Sequence, residues 1–202
     1  MKLEKEFFLR DTNIVAKELL GKVVVRKIED KILKARIVET ESYLGMEDKA
    51  AHSYGGRRTK RTETLFLEGG ICYVYFTYGM YNLLNIVTEE ENNPRAVLIR
   101  GVEILSEKNE FSKNRYKENF ENLNNYKKTN ITNGPGKLTM AMKIDREFDK
   151  KTITSEELYI EDDGFNGFNI ISAKRVGIDY AEEWKDALLR FYIEGNKNVS
   201  VR

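Results

Sequence analysis

The hydrophobic residues of this chain fall mostly into short runs in which apolar and polar positions alternate, and polar turns separate the runs. Alternation over about 4–8 residues is typical of half-buried β-strands. The first two runs are joined by a turn at 29–31, and the third and fourth meet near Gly79. The predicted strands are KVVVRKI (22–28), ILKARIVETE (32–41), ICYVYFTYG (71–79), YNLLNIVTE (81–89), AVLIRGVEIL (96–105), ELYIEDD (157–163), FNIISAKRVGI (168–178) and LLRFYIEG (188–195).

Helical signals are fewer and lie between the strands. Asp11 and Thr12 precede NIVAKELL, and Gly21 follows it, so this segment predicts a short capped helix that ends at a glycine. The stretch GPGKLTMAMKI at 134–144 predicts a second helix with a glycine-rich start.

Two segments lack a strong strand pattern. Residues 44–70 are expected to form a long, partly helical connection, and the polar stretch 106–130 a surface helix or a variable insertion. Because strands dominate and short helices are scattered between them, the pattern favours a single mixed α+β domain over residues 1–202. A parallel doubly wound sheet would need a more regular alternation of strands and helices.

Composition narrows the function classes. The 202-residue chain has a net charge of only +1, so its overall balance does not indicate a nucleic-acid partner. A single cysteine excludes an intramolecular disulfide, and a single histidine argues against a conventional metal centre. No apolar run approaches the roughly 20 residues that span a bilayer, and the charged N-terminus lacks a signal-peptide core. We expect a cytoplasmic protein that needs no metal or membrane.

The candidate chemistry lies around two strands. YVYFTYGMY at 73–81 is dense in tyrosine, and Glu39, Glu41 and Tyr43 share one face if the strand pairing is regular. Each signal has an ordinary structural explanation. Glutamates at strand ends are usually solvated, a lone histidine such as His52 usually makes a structural hydrogen bond, and strand tyrosines usually pack in a core.

Six blocks together resemble a known family. VETESYLGMEDKAAHSYGGR, YVYFTYGMYNLLNI, AVLIRGVE, NGPGKL, RVGIDYAEEW and RFYIEG occur in the same order as in the alkyladenine (methylpurine or 3-methyladenine) DNA glycosylases of the type without a helix-hairpin-helix. The resemblance extends from about residue 11 to residue 201 and is weakest at 106–130. It implies a curved, mainly antiparallel sheet with a protruding β-hairpin.

The same resemblance implies a monofunctional glycosylase that starts base excision repair. Such an enzyme flips alkylated or deaminated purines out of duplex DNA and hydrolyses the N-glycosidic bond. By the family motif, Glu41 activates the attacking water, and Arg100 and the main-chain carbonyl of Val176 also contact that water. Glu39 is expected to have a supporting role. No cofactor, metal or strand-cleaving lyase activity is expected.

The resemblance also divides the aromatic residues. It places Tyr43 on one side of the flipped base and His52 with Tyr75 on the other, while Asn85 obstructs the exocyclic amino group of normal guanine. Tyr78 fills the gap that the base leaves in the duplex. Tyr73 and Tyr81 are interpreted as packing residues. The residues expected to hold the DNA backbone are Arg57, Arg61 and Lys137.

Two other functions stay open at this point. The chain could be a DNA-binding protein that recognises damage without cutting, although a pure binder has no need of Glu41 together with Arg100. It could also be a generic α+β binding module with all its tyrosines in the core, which leaves the ordered blocks unexplained. The expected partner is double-stranded DNA that contains damaged purines, and the expected state is a monomer.

Overall fold

The predicted α+β fold is confirmed by a computed structural model, which describes residues 1–201. Its described residues form a curled sheet of eight strands in which all pairings between strands are antiparallel. The strands are β1 (Val23–Ile28), β2 (Lys31–Tyr43), β3 (Cys72–Thr77), β4 (Tyr81–Thr88), β5 (Arg95–Ile104), β6 (Leu158–Glu161), β7 (Ile170–Ala173) and β8 (Arg190–Ile193). The main path of the sheet runs β3-β4-β5-β2-β1-β6, and β8 pairs with β2 and β7.

The long strand β2 organises the sheet. Its first half pairs with β1, its second half pairs with β8, and β5 lies along the opposite edge. Register shifts around Glu39 mark a β-bulge at the point where the neighbour changes. Residues 35–42 are buried without a break, so the strand is covered on both faces there. Polar side chains on this stretch therefore need partners inside the protein.

The described residues also contain four α-helices: α1 (Thr12–Glu18), α2 (Lys108–Tyr116), α3 (Asn125–Thr129) and α4 (Pro135–Ala141). The predicted cap of α1 is present, because the Asp11 carboxylate accepts the amides of Asn13 and Ile14 at 3.0 Å each. Buried Val15 and Ala16 of α1 belong to the main hydrophobic core.

The start of α4 shows why glycine and proline stand there. Gly134 precedes the helix and Pro135 occupies its first turn, where a missing amide proton costs nothing. A Cβ on Gly136 would lie 2.6 Å from Cγ of Tyr81. The ring of Tyr81 therefore packs directly on the backbone of α4, as expected for a packing residue, and fixes the helix against β4.

The hairpin of β3 and β4 carries the tyrosine-rich stretch. Residues 78–80 form its turn, in which Tyr78 and Gly79 both have a positive φ, of 52° and 66°. Tyr78 is 82% exposed, and its neighbour Met80 is 60% exposed. The hairpin thus presents apolar side chains to solvent at its tip.

The connection at 44–70 is partly helical as predicted, and 106–130 contains α2 and α3. Across residues 1–201, no helix is long and apolar enough to cross a membrane. Short 3-10 helices complete the described structure at Lys5–Phe7, Gly45–Glu47, Tyr54–Gly56, Glu63–Phe66, Phe120–Asn122, Arg146–Phe148 and Glu182–Asp186.

Candidate active site

A cavity of about 320 Å³ opens between the β3–β4 hairpin, the loop after β2 and the segment around Val176. Its volume falls in the range of about 300–1,000 Å³ that is usual for small-molecule sites. The lining combines aromatic and aliphatic side chains with a few polar groups, as such sites generally do. Residues that the sequence predicted for the site and that line this cavity are Tyr43, His52, Tyr75, Tyr78, Asn85, Arg100 and Val176.

Glu41 lies behind the cavity wall in contact with three lining residues. Its Oε2 accepts hydrogen bonds from the Tyr43 hydroxyl at 2.9 Å and from the Arg100 guanidinium at 3.2 Å. Its Oε1 accepts the backbone amide of Val176 at 2.8 Å. The side chain is 0% exposed. A carboxylate in this position is held by one charged and two neutral donors.

Arg100 connects Glu41 to the second buried carboxylate of β2. Its Nε lies 3.3 Å from Oε1 of Glu39, while Nη1 contacts Glu41. Burial by itself lowers the pKa of Arg100, but the charges of Glu41 and Glu39 outweigh it and raise the pKa. The guanidinium therefore carries its positive charge between two glutamates, close to the cavity.

Glu39 does not face solvent, unlike most strand-end glutamates. It is fully buried, and it accepts hydrogen bonds from Arg190 at 2.9 Å and from the Ser200 amide at 2.7 Å. The Ser200 hydroxyl donates a further bond at 2.9 Å. These contacts bring the end of the chain against the site and agree with a supporting role for Glu39.

The aromatic wall is formed by three rings. The His52 ring meets Tyr75 edge-on with centroids 4.6 Å apart, and Tyr75 lies 5.2 Å from Tyr73. The Tyr73 hydroxyl lies 2.9 Å from Nδ1 of His52. The interpretation of Tyr73 as a packing residue was therefore incomplete, because Tyr73 also lines the cavity and orients the histidine.

The titration behaviour of these rings follows from their burial. Burial, together with the positive charges of Arg61 and Arg57, lowers the pKa of His52 to about 4. Burial raises the pKa of Tyr73 to about 12, and it raises the pKa of Tyr43 well above its usual range, with the charge of Glu41 adding to the effect. At neutral pH the cavity therefore presents uncharged rings.

Asn85 is fixed in the cavity wall by its own strand pair. It lies opposite Tyr73 in the β3–β4 ladder, and its side-chain amide donates to the Tyr73 carbonyl at 3.2 Å. This is the ordinary structural bond that a strand asparagine can make. Since Asn85 also lines the cavity, the bond holds the amide in one orientation there.

The three residues predicted to bind the DNA backbone are not equally accessible to phosphates. The Arg61 guanidinium lies 5.2 Å above the Tyr75 ring, and both Arg57 and Arg61 are exposed beside a cleft that adjoins the cavity at His52. Lys137 instead donates from Nζ to the side chains of Asn130 and Asn133 at 2.7 and 2.9 Å. Its ammonium group is thus directed toward its own loop.

Sequence reasoning missed several members of the site. Arg175 and Asp48 form a fully buried ion pair beside Tyr43, and Tyr180 borders the cavity mouth with its ring 68% exposed. Arg175 and Tyr180 flank Val176 within the block RVGIDYAEEW, so their position next to a predicted site residue was the available signal. Asp48 likewise lies between Tyr43 and His52 in the first block.

No group of three or more His, Cys, Asp and Glu side chains in residues 1–201 is arranged to hold a metal ion. Cys72 is buried in the main core and does not line the cavity. The expectation that the chemistry needs no metal or cofactor stays a prediction.

Comparison with known proteins identifies the family. The family model for methylpurine-DNA glycosylase (MPG) matches residues 6–197. A Clostridium perfringens (strain 13) protein named "Putative 3-methyladenine DNA glycosylase" is 56% identical over 203 residues, which cover 99% of each chain. A Clostridium botulinum (strain Hall) protein of the same name is 51% identical over 203 residues, which cover 100% of each chain. The chain therefore belongs to the methylpurine-DNA glycosylase family, the N-glycosyl hydrolases that remove alkylated purines from DNA in base excision repair.

Proposed function

We propose that this glycosylase flips an alkylated or deaminated purine out of duplex DNA into the 320 Å³ cavity and cleaves its N-glycosidic bond with a water activated by Glu41. The observation that carries the proposal is the buried carboxylate of Glu41, held by Arg100, Tyr43 and Val176 directly behind an aromatic cavity. A binding protein without catalysis has no use for such a carboxylate.

The first step is base binding. An extruded purine loses stacking and pairing worth a few kcal/mol, which new contacts must offset. Tyr43 and the pair of Tyr75 with His52 supply ring faces for the base. A purine alkylated on N3 or N7 is cationic, and electron-rich rings attract such a cation. Because the low pKa of His52 keeps its imidazole neutral at neutral pH, the wall does not repel that charge.

The second step is attack by water. Oε2 of Glu41 already accepts two hydrogen bonds, whereas Oε1 accepts only the Val176 amide and keeps a lone pair for a further donor. In the proposed reaction this oxygen takes a proton from the water, and the negative carboxylate stabilises the oxocarbenium-like sugar of the transition state. Arg100 and the carbonyl of Val176 contact the same water.

The leaving group explains why one carboxylate suffices. O-glycosidases generally use a second carboxyl to protonate the leaving oxygen. A cationic purine departs as a neutral base and needs no acid, whereas a neutral deaminated purine such as hypoxanthine must also gain a proton as it leaves. Glu39, the other buried carboxylate, is proposed to hold Arg100 in place rather than to take part in proton transfer.

Selectivity against normal guanine is proposed to depend on Asn85. The bond from its amide to the Tyr73 carbonyl keeps the side chain from swinging away. Its bulk would then collide with the exocyclic amino group of guanine, while adenine-type lesions avoid the contact. Deaminated purines such as hypoxanthine also lack an amino group at that position.

The hairpin and the basic residues are proposed to hold the DNA. Tyr78 is the most exposed aromatic side chain among the described residues, and it stands at the mouth of the cavity. It would enter the duplex where the base has left. Arg57 and Arg61 are exposed on the adjoining surface, where both would contact phosphates, Arg61 from its place over the Tyr75 ring. Lys137 can do so only if it leaves its bonds to Asn130 and Asn133.

A monofunctional reaction is further supported by the cavity lining. Lyase activity needs an amine that attacks the sugar, and no lysine within residues 1–201 lines the cavity. The product is therefore expected to be an intact strand with an abasic site.

The test uses the purified chain and duplex oligonucleotides that contain 3-methyladenine, hypoxanthine or ethenoadenine, with a chelator present. The wild type should form abasic sites, and Glu41→Gln should form none while still binding the lesion duplex. Glu103→Gln, a half-buried glutamate on the same sheet but outside the cavity, is the control and should keep full activity. Lesion binding without excision by the wild type would contradict the proposal, and so would normal excision by Glu41→Gln.

A further inference from the structure

The most completely buried ion pair in the described residues lies beside the cavity. Arg175 and Asp48 are both 0% exposed in their side chains. The two guanidinium nitrogens of Arg175 contact the two carboxylate oxygens of Asp48 at 2.5 and 2.8 Å, in a parallel fork. Such bidentate pairs fix the orientation of both side chains.

Arg175 also lies next to two of the three residues that hold Glu41, namely Tyr43 and Val176. Its guanidinium lies 4.9 Å above the Tyr43 ring, and it donates to the carbonyl of Ser42 at 3.0 Å. The next residue along the chain is Val176, whose amide binds Glu41. Movement of Arg175 would therefore shift a donor on each oxygen of the Glu41 carboxylate.

Asp48 shapes the loop that follows β2. Its Oδ2 accepts the amide of Leu44 at 3.0 Å, and its Oδ1 accepts the amide of Ala50 at 3.0 Å. These bonds shape the loop that runs from Tyr43 to His52. The ion pair thus connects the loop from Tyr43 to His52 with the Val176 segment, which comes from a distant part of the chain.

Stability alone does not account for this pair. Burying two charges costs several kcal/mol each, and well-packed apolar replacements are often neutral or stabilising. The Nε of Arg175 also has no hydrogen-bond partner among residues 1–201, so the burial is not fully compensated. The contacts to Tyr43 and to the Val176 segment supply a functional reason for the cost.

We infer that Arg175 and Asp48 are positioning residues for the glycosylase reaction: their fork sets the ring of Tyr43 and the backbone of Val176, and through them the Glu41 carboxylate and the flipped base. The inference rests on the proposed function of Glu41 and Tyr43. It predicts that a change in fork geometry lowers the rate of the chemical step even when the fold persists.

The test compares two forks of the same chain. Arg36 binds Asp163 at 2.9 and 2.8 Å, donates to a backbone carbonyl and lies over an aromatic ring, but it is remote from the cavity. Arg175→Lys and Arg36→Lys therefore remove the same type of fork, one buried beside the cavity and one with its carboxylate 38% exposed away from it. The measurements are the single-turnover excision rate, the dissociation constant for a lesion duplex, and the emission of bound ethenoadenine, which reports how the base is stacked.

Arg175→Lys is expected to lower the single-turnover rate by roughly 10- to 100-fold, the scale of a misplacement of about 1 Å. It should also alter the emission of bound ethenoadenine, while Arg36→Lys changes neither reading. If Arg175→Lys does not fold, Asp48→Asn is compared with Asp163→Asn in the same way. If Arg175→Lys and Arg36→Lys, or the two Asp→Asn variants, show the same excision rate and the same emission, the inference is overturned.

The two levels of proposal fail differently. If the wild type excises lesions and Glu41→Gln does not, the proposed function stands. An Arg175→Lys variant with unchanged rate and emission then refutes only the positioning role of Arg175 and Asp48. If Glu41→Gln remains active, the proposed function itself fails, whatever the fork variants do.

Discussion

Replacement of Tyr78 by serine tests the proposed role of this side chain as a wedge in the duplex. The side chain is 82% exposed, so its removal should change the free energy of unfolding by no more than about 0.5 kcal/mol. In the duplex it would replace the stacking of the extruded base. Stacking of a base on an aromatic side chain contributes about 1–3 kcal/mol.

This range sets the size of the expected effect. At about 1.4 kcal/mol for each tenfold change, the loss is about 5- to 150-fold in the population of the flipped state on duplex DNA. When only a small fraction of the bound lesion is flipped, the single-turnover excision rate should fall by the same factor. A single-stranded lesion needs no wedge, so its rate should be nearly unchanged. Tyr78→Phe keeps the ring and should retain most of the duplex rate.

The control is another exposed tyrosine. Tyr126 is 75% exposed on α3 and lies outside the cavity, so Tyr126→Ser should leave both rates as they are. Equal losses on duplex and single-stranded substrate in Tyr78→Ser would refute a wedge. A large drop in its melting temperature would show instead that Tyr78 supports the fold.

Two further predictions concern the fold around the site. Since burial lowers the pKa of His52 to about 4, the unfolded chain binds a proton below about 6.5 that the folded chain does not, and this histidine destabilises the fold as pH falls from 6.5 toward 4. Because it is the chain's one histidine, NMR titration of its imidazole gives the folded pKa directly, and a value near 6.5 would contradict the burial argument. Gly136→Ala should destabilise the protein by about 1–3 kcal/mol, because the new methyl group would meet the Tyr81 ring at 2.6 Å. Chemical denaturation of Gly136→Ala, Tyr81→Ala and the double variant measures the coupling, and strictly additive effects would argue against the clash.

Much of the fold could be predicted because the local patterns were strong. Alternating runs marked the strands, and the cap at Asp11 marked α1. Burial was harder to predict. β2 has strands along both edges and is covered on both faces at 35–42, so Glu39 and Glu41 are enclosed although glutamates on most strands face water. That enclosure depends on elements far away in the sequence, and local alternation does not contain it.

The site shows the same division. The family resemblance assigned Tyr75 and Tyr78 to the site and Tyr73 to packing, a division that composition could not have made, and all three line the cavity. The partners of the buried charges escaped prediction because they are remote in the chain. Asp48 and Arg175 are 127 residues apart, and Glu39 meets Ser200 across 161 residues. Pairing over such separations is decided by the tertiary fold.

Glu39 and Glu41 show how the fold divides two identical side chains. Both are fully buried on β2 and both contact Arg100. Glu39 accepts four hydrogen bonds, from Arg100, Arg190 and both the amide and the hydroxyl of Ser200. Glu41 accepts three, and its partners are the residues that line the cavity. The two carboxylates thus differ in their partners: those of Glu41 line the cavity, whereas Glu39 is tied to β8 and to Ser200, and both hold the guanidinium of Arg100.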